Sequence, residues 1–163
     1  RGPGAALQAL QAVCDTMDSR YKTLANRGLK SAAGAEDMPL IYVVIDELAD
    51  LMLTARGAVE SAIIRIAQLG RAAGIHLIIA TQRPTANIIT GLIRANIPCK
   101  IALTVSNTTD SVVILGHKGA EKLQGRGDML LKLPDQIGET RLQAAYTPDQ
   151  DIQAITNYWR QFN

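Results

Sequence analysis

The chain has 163 residues, of which 47% are hydrophobic and 20% charged, and this composition suits one globular domain with a sizeable core. Aromatic residues make up only 4%, which argues against a nucleic-acid module that stacks bases on aromatic rings. The formal net charge of +2 is too small to indicate nucleic-acid binding by itself. Cys14 and Cys99 lack the spacing of a disulfide framework or a zinc site, so a cytoplasmic location is expected.

The first elements in chain order are a helix, a strand and a second helix. Apolar residues spaced by three and four predict a helix over about 5–27. After Pro39 the run LIYVVID predicts a strand buried on both faces of a parallel sheet. A second helix is predicted over about 58–73.

Two further apolar runs, IHLIIATQRP and PCKIALTV, predict strands, and a short helix is expected between them. Short helices near 111–115 and 120–123, a strand in DMLLKL and an extended piece near 140–145 follow. Pro148 begins a last helix, on which Trp159 is expected to pack against the sheet. Strands alternating with helices predict an α/β fold, and the lack of a linker predicts a single domain over 1–163.

Two adjacent acids, Asp46 and Glu47, follow the first predicted strand, where open α/β sheets bind ligands. In nucleotide hydrolysis one such acid can hold Mg²⁺ through its water shell, and the next can orient the attacking water. Acids are also common in an exposed loop after a strand, so the dipeptide alone leaves both interpretations open.

The second strand ends in Thr81 and Gln82, and a parallel neighbour would bring Gln82 to the same edge as Asp46. An amide at that position could sense the γ-phosphate or hold the attacking water, although a lone amide is more often a loop hydrogen-bonder. We include Thr81 with Gln82 among the candidate nucleotide contacts.

Arg71 is expected on the 58–73 helix, about 140° away from the centre of its apolar stripe. It therefore points outward, which is usual for a surface charge. The alternative function is an arginine finger, whose fixed charge stabilises phosphoryl transfer in a neighbouring subunit.

Four ordered blocks, PLIYVVIDELADLM, RAAGIHLIIATQRP, GLIRANIPCKIALTV and GAEKLQGRGDML, resemble the motor domain of the FtsK/SpoIIIE family of hexameric double-stranded DNA translocases. The resemblance covers about residues 7–160 and implies the C-terminal half of a RecA-like P-loop NTPase core that uses ATP and Mg²⁺. It also implies that Asp46 and Glu47 are the Walker B acids, that Arg71 is the trans-acting arginine finger and that Gln82 is the sensor.

The resemblance further implies that Arg83 and Arg94 reach DNA phosphates in the pore of the ring, contacts that carry no sequence information. One departure concerns the segment from Asn107 to Val112, which lacks the Lys and Arg that the family usually has there. Asn107 and Thr108 could still hydrogen-bond a phosphate, but they would release no counterion.

A second departure is that GxxxxGK[ST] does not occur in the 163 residues, so we expect this chain alone to be inactive as an ATPase. Two alternatives remain open: a coupling ATPase of conjugation or secretion, and a noncatalytic RecA-like binding or assembly module. The resemblance places any membrane anchor in regions outside this sequence.

Overall fold

The computed structural model describes residues 3–162, and the chain divides into two compact units, Arg1–Pro98 and Cys99–Asn163. Helices and strands alternate along the chain, which confirms the predicted α/β class. The single-domain organisation stays a prediction. Within the described range, no helix has the length and apolar character needed to cross a membrane.

The described part of the first unit contains three α-helices, a short 3-10 helix (Ala32–Gly34) and a two-stranded parallel sheet. Its elements in chain order are α1 (Pro3–Asn26), β1 (Ile41–Ile45), α2 (Leu48–Leu69), β2 (Ile75–Ile79) and α3 (Gly91–Asn96). Ile41 lies opposite Ile75 and Ile45 opposite Ile79, so both strands end at the same edge. The predicted helix, strand, helix, strand order and the parallel pairing are confirmed.

The core of the first unit lies between α1, α2 and one face of the sheet. The apolar stripe predicted for α1 is buried at Leu10, Cys14, Met17 and Leu24. Across from it, α2 contributes Ile63, which is fully buried in the same cluster. Each such side chain stabilises the fold by roughly 1.5–3 kcal/mol relative to an exposed position.

The Arg20 side chain of α1 holds two loops next to this core by hydrogen bonds. The Arg20 guanidinium donates hydrogen bonds of 2.8 Å to the carbonyl oxygens of Ala73 and Pro39. These two residues precede β2 and β1, respectively, so one side chain of α1 holds the chain where both strands begin.

The expectation that β1 is buried on both faces is wrong within the described part of the chain. Tyr42 and Val44 are 60% and 66% exposed, and Ile78 of β2 is 53% exposed. The helices α1 and α2 cover only the alternate face, where Ile45 is buried. Because the exposed positions are apolar too, the hydropathy pattern could not reveal this difference.

Helix α2 begins about ten residues earlier than predicted and ends before Arg71. The Glu47 side chain caps its first turn, and Ala55 has non-helical backbone angles that mark a kink. The helix ends at Gly70, where an added Cβ would lie 2.5 Å from the Ile66 carbonyl oxygen and 2.7 Å from that of Ile75. Arg71 therefore lies in the following turn, and its predicted helical position is wrong.

The second unit contains a three-stranded antiparallel sheet in the order β3-β4-β5. Its elements are β3 (Lys100–Ala102), α4 (Thr108–Leu115), β4 (Asp128–Lys132), β5 (Thr140–Gln143) and α5 (Asp149–Arg160). A small core of Ala102, Leu115, Ala120 and Leu123 lies in this unit. Among the described strands, parallel pairing is thus limited to β1 and β2.

Helix α5 carries an exposed apolar side. The expected packing of Trp159 against the sheet is wrong, because this side chain is 61% exposed. Its ring instead lies 5.5 Å from that of Tyr158 and 6.0 Å from that of Phe162, measured between centroids.

A sharp turn precedes β4. Gly125, Arg126 and Gly127 all have positive φ angles, of 79°, 53° and 90°. Glycine adopts this region without steric cost, whereas a side chain there is strained. At Gly127 an added Cβ would also lie 2.9 Å from the side-chain amide nitrogen of Gln143, the last residue of β5, so the turn closes tightly against the end of that strand.

Candidate nucleotide-hydrolysis site

The site lies at the carboxyl edge of the parallel pair in the first unit. Backbone hydrogen bonds extend the pairing beyond the strands, since Ala80 N donates to Ile45 O at 2.8 Å and Leu48 N donates to Ala80 O at 2.9 Å. These bonds hold the residues that follow β1 against the residues that follow β2. The expectation that parallel pairing brings the two strand ends together is confirmed.

Glu47 is tied to both sides of this edge. Its Oε1 accepts hydrogen bonds from Ala49 N at 2.9 Å and from the Thr81 hydroxyl, and its Oε2 accepts one from Gln82 N at 2.8 Å. Partial burial raises the pKa of Glu47, but the bonds from Thr81, Gln82 and Ala49 and the charge of Arg83 outweigh it. The pKa of this carboxyl therefore lies below its ordinary value, and the group is ionised at neutral pH.

Asp46 differs from its neighbour because its side chain is exposed and, among the residues the structure describes, receives no hydrogen bond. It lines a cavity of about 710 Å³, together with Glu47 and Asp50. Apolar residues of α1, β1 and α2 form much of the remaining wall, including Leu10, Val13 and Leu51. An ionised carboxylate is thus open toward a space large enough for further ligands.

The carboxylate oxygens at this edge are suitable ligands for a magnesium ion that keeps most of its bound water. Within residues 3–162, no group of three or more His, Cys, Asp or Glu side chains could enclose a metal ion. Mg²⁺ commonly uses only one or two carboxylates and keeps several waters alongside substrate phosphates. The open Asp46 carboxylate matches that pattern better than Glu47, whose oxygens already accept hydrogen bonds from the chain.

Thr81 and Gln82 lie beside these acids, but their polar groups face different ways. The Thr81 hydroxyl donates to Glu47 and accepts a 3.1 Å bond from Arg83 N. Gln82 contacts Glu47 through its backbone, and its side chain is exposed. Of the two candidates for nucleotide contact, only Gln82 has a side chain that the described residues leave open.

Arg71 lies at the opposite edge of the sheet, exposed in the turn before β2. A strand rises by roughly 3.3 Å per residue, so the five residues of β2 separate Arg71 from Gln82 by roughly 15 Å or more. Arg71 cannot reach the acids of its own chain across that distance.

The four residues expected to contact DNA are distributed over both units. Arg83 is exposed and follows Gln82 directly, whereas Arg94 is half-buried on α3. In the second unit Asn107 caps α4, accepting from Asp110 N at 2.9 Å and donating to the Asp110 carboxylate at 2.9 Å. Thr108 is exposed in the first turn of α4. Capping thus occupies the Asn107 amide, while Arg83 and Thr108 present open side chains.

Sequence reasoning missed the hydrogen bonds that fix Glu47. One signal was present, because Glu47 directly precedes Leu48 and Ala49, where α2 begins. A negative charge at the N-terminus of a helix is favoured by the helix dipole. The Thr81 contact had no sequence signal beyond the polar ending of the strand.

Solved structures define the class of protein to which this arrangement belongs. The conjugation coupling protein TcpA of pCW3, solved as a monomer with ATPγS, has a TM-score of 0.81 and 30% identity over 96% of this chain and 49% of its own. The type VII secretion ATPase EccC of Thermomonospora curvata has a TM-score of 0.73 and 26% identity over 85% of this chain and 17% of its own. The fold is that of a RecA-like motor ATPase domain.

Sequence comparison then identifies the family. Residues 30–86 match the FtsK/SpoIIIE family. The DNA translocase FtsK of Lactococcus lactis subsp. cremoris is 47% identical over 171 aligned residues, covering 96% of this chain, and that of Streptococcus pneumoniae is 46% identical. The resemblance to the FtsK/SpoIIIE family that the sequence predicted is therefore confirmed. It spans 23% and 22% of the lengths of these two relatives.

Proposed function

We propose that this chain forms part of an ATP-driven motor that moves along double-stranded DNA. The proposal rests on one observation. Parallel pairing of β1 with β2 brings Asp46, Glu47 and Gln82 together at one edge of the sheet. The 47% identity to a DNA translocase supports the choice of substrate. ATP and DNA are both available in the cytoplasm, where we place the motor domain.

In this proposal Asp46 holds Mg²⁺ through the water shell of the ion. Its exposed carboxylate, which lines the cavity beside β1, supports that role. When bound, the ion supplies charge neutralisation to the phosphoryl group being transferred. The triphosphate itself requires a phosphate-binding loop that these 163 residues do not contain.

Glu47 orients and polarises the attacking water, and Gln82 senses the γ-phosphate. Hydrogen bonds from Ala49 N and Gln82 N fix the Glu47 carboxylate at the strand ends, as positioning of a water requires. The exposed Gln82 amide can both donate to a phosphate oxygen and accept from water.

Arg71 acts on a neighbouring subunit in this proposal. It is exposed, and β2 separates it from Gln82, which supports action in trans rather than in cis. A ring of subunits, six in the family, would bring this guanidinium to the next site, where its charge stabilises the transition state.

In this proposal the contacts to DNA phosphates come from Arg83, Arg94, Asn107 and Thr108. The side chains of Arg83 and Thr108 are exposed, so DNA could reach them. Contacts of this kind grip DNA of any sequence, as a moving motor requires.

The central test uses a longer polypeptide that joins this chain to its natural phosphate-binding half. ATP hydrolysis is measured with and without duplex DNA. We expect DNA-stimulated hydrolysis that Glu47→Gln lowers by roughly a hundredfold or more, the scale of losing one group that acts in the transition state. Glu36→Gln is the matched control, because Glu36 is exposed and precedes β1 at the opposite edge. Full activity of Glu47→Gln would refute the site assignment.

A mixing experiment tests Arg71. Subunits with Arg71→Ala and subunits with Glu47→Gln are each inactive, but mixed rings contain interfaces that join an intact Arg71 to an intact Glu47. We expect partial activity in the mixture. Arg56→Ala, which changes another exposed arginine, should hydrolyse ATP normally without mixing. A mixture as inactive as its components would contradict action in trans.

The likeness to TcpA at a TM-score of 0.81 favours a second candidate, a coupling ATPase of conjugation. The two functions differ in what the assembled motor does with bare DNA. Displacement of a third strand from a linear duplex by the purified longer polypeptide supports the translocase. Hydrolysis without displacement supports the coupling ATPase.

A further inference from the structure

The hydrogen bonds at Glu47 leave it little capacity for water. An ionised carboxylate has about four acceptor positions on its two oxygens. Ala49 N and the Thr81 hydroxyl donate to Oε1, and Gln82 N donates to Oε2. About one position, on Oε2, therefore remains for the attacking water.

Two of these three donors belong to residues 81–83 rather than to α2. Ala49 N is fixed in the first turn of α2, whereas the Thr81 hydroxyl and Gln82 N follow β2. A shift of the short segment after β2 would change two of the three bonds at Glu47. The same shift would leave the bond from α2 intact.

The Thr81 hydroxyl also connects Glu47 to Arg83. It donates to Glu47 Oε1 and accepts a hydrogen bond from Arg83 N at 3.1 Å. On the other side of Arg83, Pro84 is buried, and Arg83 O accepts a 2.8 Å bond from Thr85 N. A force on Arg83 therefore acts on a segment anchored at Pro84 and bonded at Thr81.

We propose that Thr81 is a positioning residue that couples phosphate contact at Arg83 to the orientation of Glu47. Its hydroxyl is the only side-chain group among the described residues that bonds both Glu47 and the Arg83 backbone. The exposed Arg83 side chain meets a DNA phosphate, the segment shifts, and the bonds to Glu47 rearrange so that water gains access. Thr81 thus acts through Glu47 and does not contact the nucleotide.

This inference rests on the proposed function of Glu47 and Arg83, and its test keeps the two apart. The longer polypeptide that contains the phosphate-binding half is assayed for ATP hydrolysis at saturating ATP, with and without saturating duplex DNA. The readout is the ratio of the two rates. A merely structural loss at Thr81 lowers both rates together and leaves this ratio unchanged.

Thr81→Val removes the hydroxyl at nearly constant volume. We expect it to lower the stimulation ratio by roughly fivefold or more, within the range of energies measured for directly coupled residues, with the KM for ATP unchanged. Thr81→Ser restores the ratio because it restores the hydroxyl. Thr85→Val is the matched control: Thr85 is exposed, and its hydroxyl makes no hydrogen bond to the residues the structure describes.

A double-mutant cycle completes the test. Arg83→Gln should lower the ratio, and adding Thr81→Val should lower it no further, because both changes interrupt one connection. A normal ratio in Thr81→Val, or independent effects of the two changes, would overturn the inference. If Glu47→Gln remains fully active, the proposed function fails instead.

Discussion

Arg141 of β5 binds the buried Asp128 carboxylate at the start of β4 through two hydrogen bonds, 2.8 Å from Nε to Oδ1 and 2.6 Å from Nη2 to Oδ2. The same carboxylate accepts a 2.8 Å bond from Gln124 N. It therefore joins the two strands to the turn at Gly125–Gly127.

The stability of the protein should fall in acid partly through Asp128. Hydrogen bonds from Arg141 and Gln124 lower the pKa of Asp128 from 3.8 to about 2. A lowered pKa means that the stabilisation is present above the unfolded value of 3.8 and is lost as the pH falls through about 2. Following the Asp128 carboxyl carbon by NMR during an acid titration measures this pKa directly. In Arg141→Met the midpoint should rise toward 3.8, and an unchanged midpoint would contradict the assigned cause.

His117 should make stability depend on pH in the opposite direction. Its Nε2 lies 2.7 Å from Glu139 Oε1 and its Nδ1 lies 2.8 Å from Lys118 O, so both ring nitrogens face acceptors. The bond to Glu139 and that to Lys118 raise the pKa of His117 above 6.5, against the effects of partial burial and of the Lys132 charge. The stabilisation is present below 6.5 and is lost as the pH rises through the folded value.

Melting temperatures measured between about pH 5 and 8, the range in which histidine titrates, test this assignment. The parent protein should lose more stability across the range than His117→Gln. Glu139→Gln should reduce the difference, because it removes the charge that favours the imidazolium. If the melting temperatures of the parent and His117→Gln changed equally with pH, the contact between His117 and Glu139 would not contribute to stability.

Alanine should have opposite effects at two glycines of the first unit. At Gly70 a Cβ would approach two carbonyl oxygens to 2.5 and 2.7 Å, and such overpacking costs roughly 1–3 kcal/mol. At Gly57, which is exposed within α2, nothing lies within 4 Å of the added Cβ. Gly57→Ala should stabilise the protein by roughly 0.5–1 kcal/mol because alanine favours helix. Chemical denaturation measures both, and equal effects would contradict the close approach at Gly70.

Salt dependence should separate charged from neutral DNA contacts. The logarithm of the DNA association constant falls linearly with the logarithm of the salt concentration. Arg83→Gln should make this slope shallower by about 0.9, the value for one phosphate contact by a cation. Thr108→Ala should leave the slope unchanged because a hydroxyl displaces no counterion. Fluorescence anisotropy with a labelled duplex across a salt series measures both slopes. An unaltered slope in Arg83→Gln would remove this residue from the proposed interface.

The proximity of the two strand ends was predictable from sequence. Apolar runs ending in Asp46-Glu47 and Thr81-Gln82 needed only parallel pairing to meet at one edge, and the register confirms that pairing. The bonds at Glu47 were not predictable, because they depend on the side-chain direction set by α2 beginning at Leu48. The beginning of the helix did have a sequence signal, because the apolar residues Leu48, Met52, Ala55 and Val59 keep a spacing of three and four across the kink at Ala55.

Sequence alone therefore determined the order of the helices and strands, the polar residues that end the strands, and the resemblance to the family. Tertiary structure decided which faces of the strands are covered, where Arg71 lies, and which groups donate hydrogen bonds to the Glu47 carboxylate. The physical reason is that hydropathy and periodicity describe one element at a time, whereas burial and hydrogen bonding depend on the partner that each element meets. Val44 and Ile63 are both apolar, yet one is 66% exposed and the other fully buried.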